Sequence, residues 1–428
     1  MIGKDYILRM GGRLLLLAGV AGIMTSCSDK DDIPAPDFSS KTFTGTALEL
    51  YYNGEQMPGK SADVRLAEGK ADISFTSTLD LSQVEGLGLN EKLVCPGVLP
   101  GNLKLDLSAP ITPGNGCYTL SGSGETQEVS YSYAGEIYSD KMVFNLTDVK
   151  LKVRALAGKV FAPAPLKTEY LNIISSPFHI VWELDPTAGI DVPLSGLLEA
   201  IAVAPIIPVY NNTAYMSAAE AFTQVIKTIA LLDSGNIPVM YVSTLGGAAH
   251  IATTCGNMLQ YVPTASGLNL YVNPLSLYSQ FLLAASNNKD DAQFDFAEML
   301  HKAPTRTDTS AGDVSGDIFS QEIKTALLKS VLTALAPQIA DGIPLTITPT
   351  DKGVALYFDT ATSVTFLANV LGGMLQNPSI AAALQQKLAS LELPGLTPEQ
   401  MQTILTNLPT FLEKTTRLEL GLELEEVK

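Results

Sequence analysis

Short segments of alternating apolar and polar residues, separated by strong turn signals, fill residues 41–155 of this 428-residue chain. Such alternation is typical of strands that bury one face and expose the other. Asn53-Gly54 is one of the turn signals, and this dipeptide favours a two-residue hairpin. Seven or eight strands joined by tight turns predict an antiparallel β meander, either a small barrel or a sandwich.

Beyond residue 170 the periodicity becomes largely helical, after a segment at 156–170 whose prolines are typical of a linker. Ser217 and Glu220 have the spacing of a capping box at the start of one helix. Helices are predicted at 217–232, 246–260, 275–285, 318–336, 362–375, 378–390 and 398–412. The predicted fold class is therefore α+β, with a β-domain at 41–155 and a larger, helix-rich α+β domain at 171–428.

Two strands accompany these helices, at 177–184 and at 416–427, and the terminal one shows strict alternation of leucine with polar residues. The terminal strand is expected to pair with hairpin strands near 343–358. A helix, a hairpin and a second helix follow one another within 217–285 and again within 318–375. Either an internal duplication or a chance similarity of two helix–strand junctions explains this order.

Residues 1–26 have the features of a secretory signal peptide. The positive charges before its apolar stretch come from Lys4, Arg9 and Arg13. The apolar stretch at 14–23 is too short to span a bilayer. Met24-Thr25-Ser26-Cys27 resembles the lipobox of bacterial lipoproteins. This resemblance implies that Cys27 becomes the lipidated N-terminus and anchors the protein in a membrane.

An acidic tether at 27–40 follows, and it opens with Ser28-Asp29-Lys30-Asp31-Asp32. This cluster resembles the surface-export signal of Bacteroidetes lipoproteins, whereas the alternative is a solvated linker. The resemblance implies an outer-membrane lipoprotein exposed at the cell surface. The net charge of −17 becomes −19 once residues 1–26, with a net charge of +2, are removed. So acidic a chain lacks the basic surface of a general nucleic-acid binder.

A second resemblance lies at the start of the β-domain. Phe43-Thr44-Gly45-Thr46, the segment from Leu50 to Glu55 and Pro58-Gly59-Lys60 together resemble the opening of the calycin-like (lipocalin-like) β-domains of Bacteroidetes lipoproteins. The resemblance implies an antiparallel β-domain for residues 41–155. Those domains have no settled activity, so it implies no reaction.

The sequence contains no nucleophile-elbow, phosphate-loop, dinucleotide-binding or zinc-protease motif. His179 and Glu183 share one face of a predicted strand, either as an acid–base or metal-binding pair or as an ordinary polar pair. His250 and Cys255 lie five residues apart on a predicted helix, which places them on different faces. His301 is expected to be solvated. The chain is therefore expected not to be an enzyme, with no catalytic residue, no cofactor and no metal.

Two cysteines of the β-domain are candidates for a disulfide. Cys95 and Cys117 lie 22 residues apart near predicted turns. A crosslink over so short a loop would stabilise an exported protein by about 3 kcal/mol. Cys255 is expected to be a buried free thiol. The acidic loop at 305–317 is either a calcium site or a mobile surface loop. It lacks the EF-hand spacing, which favours the loop.

Residues 193–286 contain only four charged side chains in 94 positions. Either their apolar surface forms a ligand pocket or a partner surface, or they are central helices buried by the rest of the chain. The leading hypothesis is non-enzymatic binding of a hydrophobic or amphipathic ligand, or of a protein partner. The alternative is a surface adhesin or glycan-binding module that uses Tyr51-Tyr52 and Tyr131-Ser132-Tyr133. If the protein has no such function, these tyrosines are ordinary strand residues.

Replacement of Cys27 by serine is expected to abolish lipid attachment, because serine lacks the thiol that accepts the lipid. The mature protein should then leave the membrane fraction. Metabolic labelling with a fatty-acid analogue and membrane fractionation measure the two effects. Cys95→Ser is the matched control and should stay labelled, whereas a labelled Cys27→Ser protein would contradict the assignment.

Overall fold

The computed structural model describes residues 34–80, 92–169, 172–188, 194–204, 207–209, 214–243, 250–254, 256–276, 336, 338–375 and 398–428. Strands make up 54% and helices 20% of these described residues. The fold is therefore mostly β, built from large curled antiparallel sheets. The prediction of a helix-rich α+β domain at 171–428 is wrong.

The secondary-structure elements are numbered in chain order. The strands are β1 (Ser40–Thr44), β2 (Leu48–Tyr52), β3 (Glu55–Gln56), β4 (Lys60–Ala67), β5 (Lys70–Asp80), β6 (Lys92–Val94), β7 (Leu105–Pro110), β8 (Thr112–Pro113), β9 (Cys117–Glu125), β10 (Val129–Tyr138), β11 (Met142–Leu151), β12 (Lys159–Pro163), β13 (Lys167–Glu169), β14 (Asn172–Ser175), β15 (Phe178–Leu184), β16 (Ile207–Val209), β17 (Ala214–Met216), β18 (Ile226–Leu231), β19 (Val239–Ser243), β20 (His250–Thr253), β21 (Leu259–Pro263), β22 (Gly267–Val272), β23 (Ile343–Pro349), β24 (Gly353–Phe358) and β25 (Thr415–Glu426). The α-helices are α1 (Leu194–Val203), α2 (Ala218–Val225), α3 (Thr360–Leu375) and α4 (Pro398–Glu413).

Two sheets form the first part of the chain. In the five-stranded sheet β1, β4, β5 and β6 follow one another and β7 also pairs with β5. The six-stranded sheet has the order β3-β2-β11-β10-β9-β8. Asn53 and Gly54 both have positive φ angles, 48° and 87°, as the predicted hairpin turn between β2 and β3 requires. The alternating segments do form strands, but eleven described strands replace the predicted seven or eight. They form two sheets, and β2 and β11 pair in parallel, so the prediction of a single antiparallel meander is wrong.

A ten-stranded sheet forms most of the second part, in the order β20-β19-β18-β12-β25-β24-β23-β22-β21, and β15 also pairs with β25. The terminal strand pairs with β24 from Gly353 to Phe358, as expected. Residues 159–163 of the segment predicted as a linker form β12 and so belong to this sheet. Two separate hairpins, β13–β14 and β16–β17, complete the described strands.

The helix predictions succeed only in part. Helices α3 and α4 confirm the predictions at 362–375 and 398–412. The capping box of Ser217 and Glu220 is present, but α2 ends at Val225 and the chain continues as β18. The helix predicted at 246–260 is wrong, because β20 and the start of β21 lie there. Pairing with neighbouring strands overrides the local helical pattern at both places. The helix predicted at 378–390, and most of those predicted at 318–336 and 275–285, lie outside the described residues.

One hydrophobic core joins the three large sheets. Its fully buried members include Phe43, Phe144 and Tyr261, one from each sheet. Polar contacts reinforce the junction at the turn 232–236 between β18 and β19. The Tyr52 hydroxyl donates to the Ser234 carbonyl at 2.5 Å, and the Leu151 amide donates to the Asp233 carbonyl at 2.8 Å. Residues of both predicted domains therefore share one core.

A second, smaller core lies where helices cover part of the ten-stranded sheet. Trp182 of β15 and Leu418 of β25 pack there against Leu197 of α1 and Leu408 of α4. Trp182 is 5% exposed, so the single tryptophan is a core residue. The helices thus serve as a cover for one end of the sheet rather than as a separate layer domain.

Tyr52→Phe is expected to lower the free energy of unfolding by about 1–2 kcal/mol, because the buried Ser234 carbonyl loses its donor. Chemical denaturation followed by fluorescence measures this change. Tyr118→Phe, in a half-buried tyrosine of β9 packed against the same core, is the control and should cost less than about 0.5 kcal/mol. Equal effects of the two substitutions would argue against a stabilising role for the hydrogen bond between Tyr52 and Ser234.

Candidate functional site

Two strands of the charge-poor segment, β18 and β21, are largely buried. Gln260 and Tyr261 are neighbours on β21 and point to opposite faces of the sheet, yet they are only 4% and 0% exposed. Ala230 and Leu231 on β18 are buried in the same way. Strands covered on both faces contain few charges. Burial in the shared core therefore accounts for the low charge of these strands without a ligand.

A shallow polar concavity lies on the six-stranded sheet and has a volume of about 540 Å³. Strands β9, β10 and β11 provide its lining. The lining residues are Ser123, Gly124, Glu125, Ser130, Tyr131, Ser132, Asp148 and Lys150. Three serine hydroxyls, one tyrosine, two carboxyls and one amine thus surround a single surface depression. We refer to these eight residues as the serine concavity.

The strand register places the serine side chains on one face. Ser123 lies directly opposite Ser132, and Glu125 lies opposite Ser130. The pairing of β10 with β11 shifts between Ser130 and Ser132, which marks a β-bulge. Asp148 lies in this irregular stretch with a φ of 51°, a conformation that non-glycine residues seldom adopt. Bulges and such backbone conformations are frequent next to binding sites because they redirect a side chain.

Asn53 of the predicted hairpin turn holds this bulge in place. Its backbone amide donates to the Leu146 carbonyl at 2.7 Å, and its side-chain oxygen accepts from the Val149 amide at 3.3 Å. These two contacts lie on either side of Asp148 in the sequence. The turn therefore positions one wall of the serine concavity, a role that the Asn-Gly signal alone did not reveal.

The tyrosines singled out from the sequence are mostly core residues. Tyr131 is 5% and Tyr133 9% exposed, and Tyr52 is fully buried. The Tyr131 and Tyr133 rings lie against Gly124 and Gly122 of the neighbouring strand, where a side chain would collide with their hydroxyls. They do not form an exposed stacking platform. The polar groups of the serine concavity, and not aromatic rings, are the groups available to a ligand.

A second candidate site surrounds His179 on the ten-stranded sheet. The Nδ1 atom of His179 lies 2.7 Å from Oε1 of Glu423, and Nε2 lies 2.9 Å from Oε2 of Glu419. Both carboxylates belong to β25, and the His179 side chain is only 16% exposed. We refer to His179, Glu419 and Glu423 as the His179 clamp.

Arg417 connects the His179 clamp to Glu183. Its Nε and Nη2 atoms donate to the two carboxylate oxygens of Glu419 at 2.8 and 3.0 Å. Its Nη1 atom donates to Glu183 at 3.2 Å. His179 and Glu183 thus share a face as predicted, but Glu183 binds Arg417 rather than the histidine.

A glycine on β25 brings an aromatic ring onto the histidine. Gly421 lies directly opposite both His179 of β15 and Tyr357 of β24. The two rings stack across it with centroids 4.5 Å apart. A Cβ atom on Gly421 would come within 2.5 Å of the Tyr357 Cα atom, so only glycine allows this close approach.

The His179 clamp also changes the acidities of its members. Burial on its own lowers the pKa of His179, but the hydrogen bonds to Glu423 and Glu419 outweigh it and raise the pKa above the usual value. Burial raises the pKa of Glu419, but hydrogen bonds from Arg417 and His179 outweigh it, so this pKa is lowered. The arrangement therefore favours an imidazolium between two carboxylates.

The other residues singled out from the sequence do not meet at a site. Cys95 and Cys117 are free, buried thiols, so the candidate disulfide does not form. Cys95 follows β6 of the five-stranded sheet, whereas Cys117 begins β9 of the six-stranded sheet. His250 lies on β20, at the edge of the ten-stranded sheet. Cys27, Cys255, His301 and the loop 305–317 lie outside the described residues. Within the described ranges, no three His, Cys, Asp or Glu side chains are placed to hold a metal ion.

Lys60 is a buried cation that no sequence pattern indicates. Its side chain is 3% exposed, and its amine donates to the Pro96 carbonyl at 2.6 Å. Burial lowers the pKa of this amine to about 8, although the neighbouring Cys95 acts in the opposite direction. Polar residues before an alternating strand are common, so nothing in the local sequence distinguishes Lys60 from an exposed lysine.

Lys60→Met is expected to raise the free energy of unfolding. The increase should be largest at pH 7, where the wild-type protein buries a charged ammonium, which destabilises the folded state. The folded state loses this proton above pH 8 but the unfolded state keeps it up to about pH 10.5. Wild-type stability should therefore rise toward that of Lys60→Met between pH 8 and 10.5, by about 3 kcal/mol. Denaturation at several pH values tests this, with exposed Lys70→Met as the control. A stability difference that is independent of pH would contradict the assignment.

Comparison with known proteins finds no match, since no family model, no curated protein and no solved structure corresponds to the chain. Among the described residues, no helix combines the length and apolar character needed to cross a membrane.

Proposed function

We propose that this protein is a non-enzymatic cell-surface lipoprotein that binds a hydroxyl-rich ligand, a glycan, in the serine concavity. The lipobox-like segment before Cys27 and the acidic residues after it support the location at the outer membrane. The serine concavity on β9, β10 and β11 is the observation that supports the ligand class.

The chemistry of the concavity suits a polyol. Serine hydroxyls both donate and accept hydrogen bonds, and carboxylates accept them, as sugar hydroxyls require from a binding surface. Glu125 and Asp148 outnumber Lys150 among the charged groups, so the lining disfavours an anionic ligand and suits a neutral one. A shallow, open depression of this kind fits a terminal sugar or a short stretch of a chain.

The tether is long enough to present this surface away from a membrane. Pro36 is buried and Phe38 packs against Phe43, so at most residues 27–35 can act as a tether, and they span at most about 30 Å when fully extended. A surface-anchored protein with such a tether can reorient to meet a polymer outside the cell. Lipidation of Cys27 and ligand binding by the β-domain would then serve one function.

Binding of a hydrophobic or amphipathic ligand is the second candidate. Helix α1 favours it, because every residue from Leu194 to Val203 is buried or half-buried and only Glu199 is charged. Burial raises the pKa of Glu199, as an apolar environment does. The neighbouring residues 189–193 and 205–206 lie outside the described ranges.

Ser123→Tyr is expected to weaken glycan binding at least about tenfold, because the larger side chain fills the concavity. Glycan arrays with the soluble mature protein identify the ligand, and calorimetry measures the affinity. Ser121→Tyr is the matched control, since Ser121 lies two residues away on the same exposed face of β9 but outside the concavity.

The control variant should bind like the wild type. No binding on the array, or equal effects of the two substitutions, would overturn the proposal. Lipid that stays bound in native mass spectra of the purified protein would favour the second candidate instead.

A further inference from the structure

The geometry of the His179 clamp requires a proton. A neutral imidazole has one N–H group and one bare nitrogen, so it can donate to only one carboxylate. An imidazolium donates from both nitrogens. The two contacts of 2.7 and 2.9 Å to Glu423 and Glu419 are therefore both hydrogen bonds only in the protonated state.

The groups around the ring reinforce this dependence. Strand β25 contributes Arg417, Glu419 and Glu423. Strand β15 contributes Glu183, which is linked to these groups through Arg417. Strand β24 contributes the Tyr357 ring, which stacks on the imidazole. With His179 protonated, two positive charges face three carboxylates. Loss of the proton leaves Arg417 as the one positive charge beside the three carboxylates. It also places an unprotonated imidazole nitrogen next to a carboxylate.

Strand β15 lies at an edge of the ten-stranded sheet. Among the described strands it pairs with β25 alone, and its other edge has no strand partner. Helix α1 lies along this free edge, because its Ser195 hydroxyl accepts from the Trp182 amide at 2.7 Å and donates to the Trp182 carbonyl at 3.3 Å. Movement of β15 would therefore also loosen α1, which would keep its packing against Leu418 of β25.

We propose that the His179 clamp is a proton-dependent lock, which fastens β15 and with it helix α1 to β25 as the pH falls and loosens them as the pH rises. The proposal is independent of the serine concavity, which lies on a different sheet.

The direction of the pH effect follows from linkage. The pKa of His179 is raised in the folded protein, so the folded state binds the proton more tightly than the opened state. The stabilisation is complete below the ordinary histidine value of about 6.5 and is lost as the pH rises through the raised folded value. The lowered pKa of Glu419 keeps its carboxylate ionised in mildly acidic solution.

Amide hydrogen exchange of the full mature protein between pH 5.5 and 8.5 tests the lock, after correction for the intrinsic pH dependence of exchange. Protection of the β15 amides relative to the β10 amides should fall at least about fivefold over this range. In His179→Gln, which keeps a polar side chain but cannot titrate, this fall should disappear. His250→Gln on β20 is the matched control and should behave like the wild type.

Glu423→Gln provides a second test in case His179→Gln disturbs the fold. It retains the histidine but removes one charged acceptor, so the loss of protection should begin at a lower pH than in the wild type. Proton NMR of the His179 ring measures the same shift directly. A His179 ring that titrates at or below pH 6.5, or a pH dependence that His179→Gln retains, would overturn the proposal.

Discussion

Strand β25 is the element on which the architecture depends, because it pairs along one edge with β24 and along the other with β15 and β12. Its leucines lie on one face, where Leu418 packs under α1 and α4 and Leu424 joins the core shared with the β-domain. Its polar residues lie on the other face and surround His179. One alternating strand at the end of the chain thus unites both cores and one candidate site.

Each candidate site relies on a local exception to regular sheet geometry. Gly421 permits the His179 and Tyr357 rings to stack across β25. The bulge in β11 and the left-handed backbone of Asp148 shape the serine concavity. A regular ladder with a side chain at every position would allow neither arrangement, so the exceptions connect fold and chemistry.

Local patterns identified the strands of the β-domain, the turn at Asn53-Gly54 and the terminal strand, because burial of one face imposes a period of two. They failed at 226–231 and 246–260, where the same apolar residues fit either periodicity. Strand partners decided the outcome there. His179 was noticed in the sequence, but Glu419 and Glu423 lie 240 and 244 residues away and form part of an ordinary alternation.

The sequence by itself determined which residues alternate, where tight turns and the capping box occur, and that few charges are available between 193 and 286. These properties depend on near neighbours, whose side-chain chemistry and backbone preferences act over a few residues. Only the tertiary structure decided that β18 and β21 bury residues on both faces, that Glu183 binds Arg417, and that three serines share a concavity. Those outcomes depend on contacts between distant segments, and a chain's local pattern does not specify which segment becomes its partner.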